Sequence, residues 1–209
     1  MKRKYYGVLM ALLLVCFTSL PAQEKPQSAY EVVQQSTNAL LDMIVQNREL
    51  YRNDTERFYQ DVDGLLSGVV DFERIARRVM AKYYRNASDE QREQFVKVFK
   101  QSLMNVYAKG LLEFDNEKVE IIPPRYSSAD EAQEKVDLVV IDNNGAEFPI
   151  SYSMYLDDNG RWKMENVIVN GINIGLTYRN QFAHLMQAQG NDVDKVIASW
   201  VSEVKSEDS

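Results

Sequence analysis

The side chains that usually carry out catalysis are scarce in this sequence and poorly placed for it. A serine triad would have to use His184, the single histidine, which falls in a helical pattern where a lone histidine is usually a surface residue. Two pairs of carboxylates, Asp61 with Asp63 and Asp157 with Asp158, are close enough in sequence to exchange protons. They occur in turns or on polar helix faces, where carboxylates are normally solvated. The sequence therefore predicts no catalytic residues and no enzyme activity.

Patterns that bind metal ions or cofactors are also missing. One cysteine, Cys16, and one histidine cannot form a zinc-binding cluster. There is no glycine-rich phosphate loop, and the acidic turn at residues 142–145 is too short for a calcium site of the helix–loop–helix kind. We therefore expect neither a metal nor a cofactor.

A basic stripe is the most unusual charged feature. It consists of Arg74, Arg77, Arg78 and Lys82, with Arg85 shortly after it. Helical spacing places these residues on one face of a helix whose other face is apolar. In a chain of net charge −7, a local positive stripe is unexpected. Two interpretations are open: a solvated face that pairs with nearby acidic residues, or a docking surface for an acidic partner or a lipid headgroup.

The first 22 residues have the three-part pattern of a secretory signal peptide. A positive start at residues 2–4 is followed by an apolar run and by Ala22, a small residue, at the cleavage point. We expect residues 1–22 to be removed and residues 23–209 to form an exported domain, with a bacterial periplasm as its compartment. The alternatives are a membrane anchor and a lipoprotein modified at Cys16. Loss of Cys16 with the leader would leave no cysteine for a disulfide.

Charge and composition exclude several classes of protein. The predicted leader carries three basic residues and no acidic one, so the remaining 187 residues have a net charge of −10. Such an acidic chain is unsuited to nucleic acid, which requires a dense basic surface, and to permanent adhesion to anionic lipid. Apolar residues make up 45% and aromatic residues 11% of the chain, which excludes wholesale disorder. No run after the leader reaches the roughly 18 apolar residues that a membrane helix needs.

Helical spacing of apolar residues dominates the segment from about 28 to 113. Two helix starts are marked by the spacing of a capping box, Ser28 with Glu31 and Ser88 with Gln91. In a capping box the two side chains each accept a hydrogen bond from the backbone of the other residue. The sequence therefore predicts a helical N-terminal part.

The period changes to alternation between about residues 117 and 176. Asn144-Gly145 and Asn159-Gly160 provide the positive φ angles that tight connections need. This pattern predicts an antiparallel meander of about four strands. Helical spacing returns at about residues 177–204. Helices, then a sheet, then helices is an α+β order.

Six stretches of the chain form a recognisable set. They are VDFERIAR at 70–77, ASDEQREQF at 87–95, YAKGLL at 107–112, GRW at 160–162, NVIVNGI at 166–172 and YRNQF at 178–182. Each is weak alone, but their order and spacing are specific, and together they span roughly residues 28–202. As a set they resemble the MlaC family, the periplasmic phospholipid-binding components of the Mla system, also called toluene-tolerance proteins.

The resemblance implies a curved antiparallel sheet of the nuclear-transport-factor-like or cystatin-like kind, packed with helices. It also implies one bound phospholipid, with its acyl chains inside and its headgroup near solvent. The protein would carry this lipid between an outer-membrane lipoprotein–porin complex and an inner-membrane ABC transporter that contains an MCE-domain protein. This transport would maintain the lipid asymmetry of the outer membrane. We expect a monomer.

Under this interpretation the acyl chains occupy an apolar pocket between the sheet and the helices. From the helical part we expect the lining residues Val70, Phe72, Ile75, Val79, Phe95, Phe99, Leu103 and Tyr107. From the sheet we expect Ile150, Tyr152, Met154, Trp162, Met164, Val167 and Val169. Docking on partner proteins would use the basic stripe, Arg74, Arg77, Arg78 and Lys82.

Three alternatives differ in ligand or in class. The ligand could be another exported amphiphile, such as a hopanoid, an isoprenoid or an organic solvent. The protein could be a periplasmic adaptor with a filled core and no ligand. An isomerase on the same fold would need an acid or a tyrosine in the pocket; Tyr107 and Tyr152 are available, but the pattern shows no carboxylate partner on the inward face. The identity of the bound molecule discriminates among them.

Overall fold

Helices flank an antiparallel sheet in the computed structural model, which describes residues 27–113, 118–125 and 130–207. The predicted leader lies outside these residues. The order of the elements confirms the predicted α+β class. No helix in the described part of the chain is both long enough and apolar enough to cross a membrane.

Helix caps fix the N-terminal helical part. Its elements are α1 (Ala29–Asn53), α2 (Thr55–Leu66), α3 (Phe72–Met80), a 3-10 segment (Ala81–Asn86) and α4 (Asp89–Glu113). The capping box at α1 is present: Ser28 Oγ accepts from the Glu31 backbone N–H, and the Glu31 carboxylate accepts from the Ser28 N–H. Asp54 and Asp71 cap α2 and α3 in the same way, each accepting from the N–H three residues on.

The sheet is an antiparallel meander, as predicted, but it has five strands rather than about four. The strands are β1 (Lys118–Ile121), β2 (Gln133–Ile141), β3 (Glu147–Leu156), β4 (Trp162–Val169) and β5 (Ile172–Asn173), hydrogen-bonded in that order. The fifth strand has two residues, too few for alternation to show in the sequence. Asn170 and Gly171, with φ of +50° and +80°, form the two-residue turn that leads into it.

The other two hairpin turns differ in detail from the expected Asn-Gly turns. Within them the positive φ falls on the glycine alone, +81° at Gly145 and +73° at Gly160. Backbone hydrogen bonds close each turn, from Asp142 to Ala146 and from Asp157 to Arg161, and leave three residues between the closing pair. Loops of three residues combine a type I turn with one left-handed residue. The side chains of Asp142 and Asp157 accept backbone N–H groups two and four residues later, which lowers the pKa of both carboxyls.

Two C-terminal helices, α5 (Ile174–Ala188) and α6 (Val193–Glu207), complete the fold. Helix α5 begins three residues earlier than predicted because Asn173 caps it, accepting from the Leu176 N–H. Phe182 of α5 and Trp200 of α6 pack against Phe95 of α4, with ring centroids 4.8 and 5.1 Å from it. This aromatic core joins the C-terminal helices to α4 without involving the sheet.

A buried hydrogen bond fixes Trp200 in this core. Its indole N–H donates to Ser102 Oγ at 3.0 Å, and Ser102 is 1% exposed. We expect Ser102→Ala to lower the free energy of unfolding by about 1–3 kcal/mol, because it leaves the indole N–H buried without an acceptor. Urea denaturation measures this. In a Trp200→Phe background the same change should cost much less; an equal cost in both backgrounds would contradict the assignment.

Two further apolar clusters complete the interior. One joins α1, α2 and α4 and contains Ile44, Tyr51, Phe58, Val62 and Met104. The other joins the start of α1 to the sheet and contains Ala29, Val33, Val136, Leu138 and Met154. Residues at the edges of all three clusters surround a space that none of them fills.

Candidate functional site

An apolar cavity of about 320 Å³ lies between β3 and β4 on one side and the helices on the other. The helices contribute Leu40, Leu66, Phe72, Ile75, Phe99, Leu103, Met104, Tyr107, Leu111, Ile174 and Tyr178, and Val70 lies between α2 and α3. The sheet contributes Ile150, Tyr152, Met164, Asn166, Val167 and Val169, and Gly175 completes the wall. Fourteen of these nineteen residues are aliphatic, phenylalanine or methionine. Such a lining suits an apolar ligand.

Eleven of the fifteen residues predicted to line a pocket border this cavity. They are Val70, Phe72, Ile75, Phe99, Leu103, Tyr107, Ile150, Tyr152, Met164, Val167 and Val169. The helical and sheet groups therefore meet across one space, although they are distant in sequence.

Four predicted lining residues do not border this cavity. Phe95 and Val79 pack in the aromatic core, because the C-terminal helices cover that side of α3 and α4. Val79 also lines a second cavity at the end of α3. Met154 is 1% exposed and packs in the cluster between the sheet and α1. Trp162, at the start of β4, packs at the edge of that same cluster. Met164, two residues further along β4, borders the cavity.

A β-bulge explains which residues of β4 face the cavity. Met164 pairs with Met154 and Asn166 pairs with Ser153, so Glu165 is an extra residue without a partner on β3. A bulge changes the side on which the following side chains emerge. Met164, before the bulge, and Val167, after it, therefore both line the cavity, which strict alternation would forbid.

Sequence reasoning missed eight residues of the lining. They are Leu40, Leu66, Met104, Leu111, Asn166, Ile174, Gly175 and Tyr178. Leu111 continues the spacing of four from Leu103 and Tyr107 along α4, so periodicity could have found it. Leu40 and Leu66 carried no such signal, since nothing local to α1 or α2 shows which neighbour their apolar faces meet.

Polar atoms at the cavity come from three tyrosines and Asn166, among the described lining residues. Burial raises the pKa of Tyr152 and so keeps its phenol neutral. The Tyr107 and Tyr178 hydroxyls lie 3.3 Å apart and link α4 to α5. Tyr107 is 46% exposed, so this pair stands at the rim of the cavity. Neutral, weakly polar groups of this kind can accommodate an apolar ligand without ionising.

Asn166 and Gly175 form the tightest contact at the cavity wall. Asn166 Oδ1 accepts from the Gly175 N–H at 3.2 Å, and a Cβ added at Gly175 would lie 2.4 Å from that oxygen. We expect Gly175→Ala to displace the Asn166 side chain and cost about 1–3 kcal/mol of stability through the lost hydrogen bond. Urea denaturation measures the cost.

The matched control for this change is Gly64→Ala in α2, where an added Cβ meets nothing within 4 Å. There alanine should stabilise the helix by about 1 kcal/mol. In an Asn166→Ala background the cost of Gly175→Ala should largely disappear. A cost that persists would show that the backbone, and not Asn166, requires the glycine.

The basic stripe divides into two parts. Arg74 and Arg78 both pair with Glu165, the bulge residue, whose side chain is 8% exposed; the Arg78–Glu165 distance is 2.8 Å. Arg77 and Lys82 are exposed and have no acidic partner within ion-pair distance in the described part of the chain. Half of the stripe therefore anchors α3 to β4, as the first interpretation proposed, and half is free for contact with other molecules.

Tyr155 of β3 adds a second contact between α3 and the sheet. Its ring lies beneath the Arg74 guanidinium, 3.9 Å from centroid to Cζ, and its hydroxyl donates to Asp71. Burial, and then the hydrogen bond to Asp71, raise the pKa of Tyr155 to about 12. The folded protein thus favours the neutral phenol, so this stability is complete below pH 10.0, the ordinary pKa, and is lost as the pH rises toward about 12.

Urea denaturation on either side of that pKa tests this linkage. We expect the wild-type protein to lose more stability above pH 10.0 than a Tyr155→Phe variant, which has no phenol to ionise at this position. An equal loss in both proteins would mean that other tyrosines account for the alkaline effect.

The chain as a whole is similar to known proteins. A family model described as MlaC protein matches residues 34–202. The chain belongs to the MlaC family. The predicted family is therefore confirmed.

Individual members agree with this assignment. The chain is 39% identical over 200 residues to toluene tolerance protein Ttg2D of Pseudomonas putida, covering 95% of this chain and 92% of that protein. It is 24% identical over 191 residues to the MlaC binding protein of an intermembrane phospholipid transport system in Haemophilus influenzae, covering 90% and 89%.

A solved structure shares the fold of this MlaC-family chain. It is the phospholipid-binding protein of Ralstonia solanacearum in complex with a phospholipid, which aligns with a TM-score of 0.77 and 26% sequence identity. The alignment covers 87% of this chain and 98% of that one. The likeness thus extends over nearly the whole of that domain, and it confirms the predicted combination of helices and antiparallel sheet.

Proposed function

We propose that this chain is a periplasmic carrier that holds a phospholipid by its acyl chains in the cavity between β3, β4 and the helices. The observation that carries the proposal is the cavity itself, whose lining is predominantly apolar on both the helical and the sheet side. The relatives add support, because one is described as a phospholipid transport binding protein and another was solved with a phospholipid.

The energetics of such transfer are favourable without specific polar contacts. Burying a methylene group is worth about 0.8 kcal/mol, so a 16-carbon chain gains about 13 kcal/mol relative to water. A membrane lipid, however, is already sheltered by the bilayer, and the cavity needs only to match that environment. Met104 and Met164 suit chains of different length and unsaturation, because the methionine side chain is flexible and polarisable.

The volume of the cavity bears on how many chains it takes. At about 320 Å³ it lies near the lower end of the range of ligand pockets, roughly 300–1,000 Å³. A cavity at this end of the range favours one acyl chain over two in the proposed carrier.

The proposed function includes docking of the carrier on membrane complexes. The carrier would exchange lipid with an outer-membrane lipoprotein–porin complex and with an inner-membrane ABC transporter containing an MCE-domain protein. Arg77, with Arg85 in the following 3-10 segment, offers exposed positive charge for such contacts. Charged surfaces of this kind speed up encounter and select partners more than they add affinity.

Native mass spectrometry of protein purified from its host periplasm tests the carrier function. We expect a stoichiometric adduct that lipid extraction identifies as phospholipid. A protein whose mass stays unshifted, even after incubation with phospholipid vesicles, would overturn the proposal and favour an adaptor. An adduct of a different amphiphile would overturn the choice of ligand.

A further inference from the structure

A second cavity adjoins the apolar one. It has a volume of about 480 Å³ and lies between the end of α3 and the first turn of α5. Ile75, Asn166 and Gly175 line both cavities. The two cavities therefore lie side by side with these three residues between them, one apolar and the other bordered by charged side chains.

The second cavity carries positive charge. Arg78, Lys82 and Arg179 line it, and Glu165 is its acidic residue. Glu165 is 7% exposed and is already paired with both Arg74 and Arg78, so its charge is neutralised within the protein. Lys82 and Arg179 have no acidic partner within ion-pair distance among the residues described. The net positive charge of this cavity, in a chain of net charge −7, favours binding of an anion there.

We propose that this cationic cavity binds the phosphate of the lipid whose acyl chain occupies the apolar cavity. The inference rests on the proposed carrier function and adds to it the chemistry that selects the headgroup. Guanidinium and ammonium groups are the usual phosphate ligands in proteins, the first by paired hydrogen bonds and the second as a point charge. The carrier thereby distinguishes a phospholipid from a diacylglycerol with the same chains.

The test compares two lipids that differ in the phosphate. Delipidated protein is equilibrated with mixed micelles that contain equal amounts of phosphatidylglycerol and diacylglycerol with identical chains, and native mass spectrometry counts each bound lipid. We expect the wild-type protein to prefer phosphatidylglycerol about tenfold, which corresponds to one or two partly exposed charge-assisted hydrogen bonds. The double variant Lys82→Gln/Arg179→Gln should bind both lipids about equally, because it loses the tenfold gain for phosphatidylglycerol and keeps the affinity for diacylglycerol.

Controls separate this inference from the carrier function. Arg52→Gln/Lys97→Gln removes the same charge from exposed sites on α1 and α4 and should keep the wild-type preference. An Arg179→Lys variant should keep most of the preference for phosphatidylglycerol that an Arg179→Gln variant loses. This pair of single variants tests the charge at position 179 even if the double variant fails to fold. A wild-type preference retained by Lys82→Gln/Arg179→Gln would overturn the phosphate site and leave the carrier intact. A wild-type protein that binds neither lipid would overturn both.

Inorganic phosphate distinguishes a headgroup site from a site for the free ion. We expect micromolar phosphate to leave the wild-type preference unchanged, because the lipid phosphate is tethered to the bound chain and so has a far higher effective concentration. Loss of the preference at micromolar phosphate would assign the cavity to the free ion and overturn the inference.

Discussion

Replacing Val169 by tryptophan is expected to reduce the bound lipid per protein about tenfold while the fold is retained. Val169 lies on β4 opposite Ile150 and faces the cavity. An indole in place of the isopropyl group would occupy much of a 320 Å³ space that the lipid chain needs. Overpacking a filled core costs about 1–3 kcal/mol, but here an existing void receives the added atoms. Lipid extraction measures the loss, and thermal denaturation checks the fold.

Leu103→Trp tests the same cavity from the helical side. Leu103 is on α4, across the space from β4, so a parallel loss of lipid would show that both walls enclose one ligand. The matched controls are Val45→Trp and Leu50→Trp, which make the same substitutions at positions on α1 that are 62% and 47% exposed. Unchanged lipid content in both cavity variants, or an equal loss in the controls, would refute the assignment of this cavity to the acyl chains.

Much of the fold follows from local signals that act within a few residues. Ser28 with Glu31, Asp54 and Asp71 start helices by hydrogen bonds that the sequence alone specifies. Gly145 and the other turn glycines mark hairpins because glycine readily adopts the positive φ that these turns need. These signals predict the order of elements, and sequential antiparallel strands then pair with their neighbours. What they cannot show is a strand as short as β5, which forms only because Asn170 and Gly171 turn the chain back onto β4.

The site was harder to predict because it depends on contacts between distant segments. Phe95 and Phe99 share one face of α4, yet Phe95 is enclosed by Phe182 and Trp200 while Phe99 also reaches the cavity. Only the docking of α5 and α6 separates the two roles. Similarly, the bulge residue Glu165 pairs with Arg74 of α3, ninety-one residues away, and no pattern within β4 reveals the bulge.

The contact between Glu165 and α3 also changes how the basic stripe must be tested. Arg74→Glu would place a carboxylate beside the buried Glu165 in place of its partner. Breaking a buried ion pair costs about 3–5 kcal/mol, so we expect this variant to be strongly destabilised, by about 3 kcal/mol even with Arg78 still in place. Weaker binding to any partner by Arg74→Glu would then report a loss of folded protein and would not by itself show that the stripe docks.

Reversal of Arg77 and Arg85 separates docking from stability. Both side chains are exposed, so Arg77→Glu/Arg85→Glu should leave thermal unfolding nearly unchanged, since surface charges contribute about 0–1 kcal/mol. We expect the variant to bind the reconstituted membrane complexes about tenfold more weakly at low salt, with a smaller difference at high salt, because exposed charges are screened. The control Arg52→Glu/Lys97→Glu makes the same charge change elsewhere and should bind normally. Equal weakening by the two variants would mean that net charge, and not this surface, governs the encounter. No weakening by either variant would remove Arg77 and Arg85 from the docking surface.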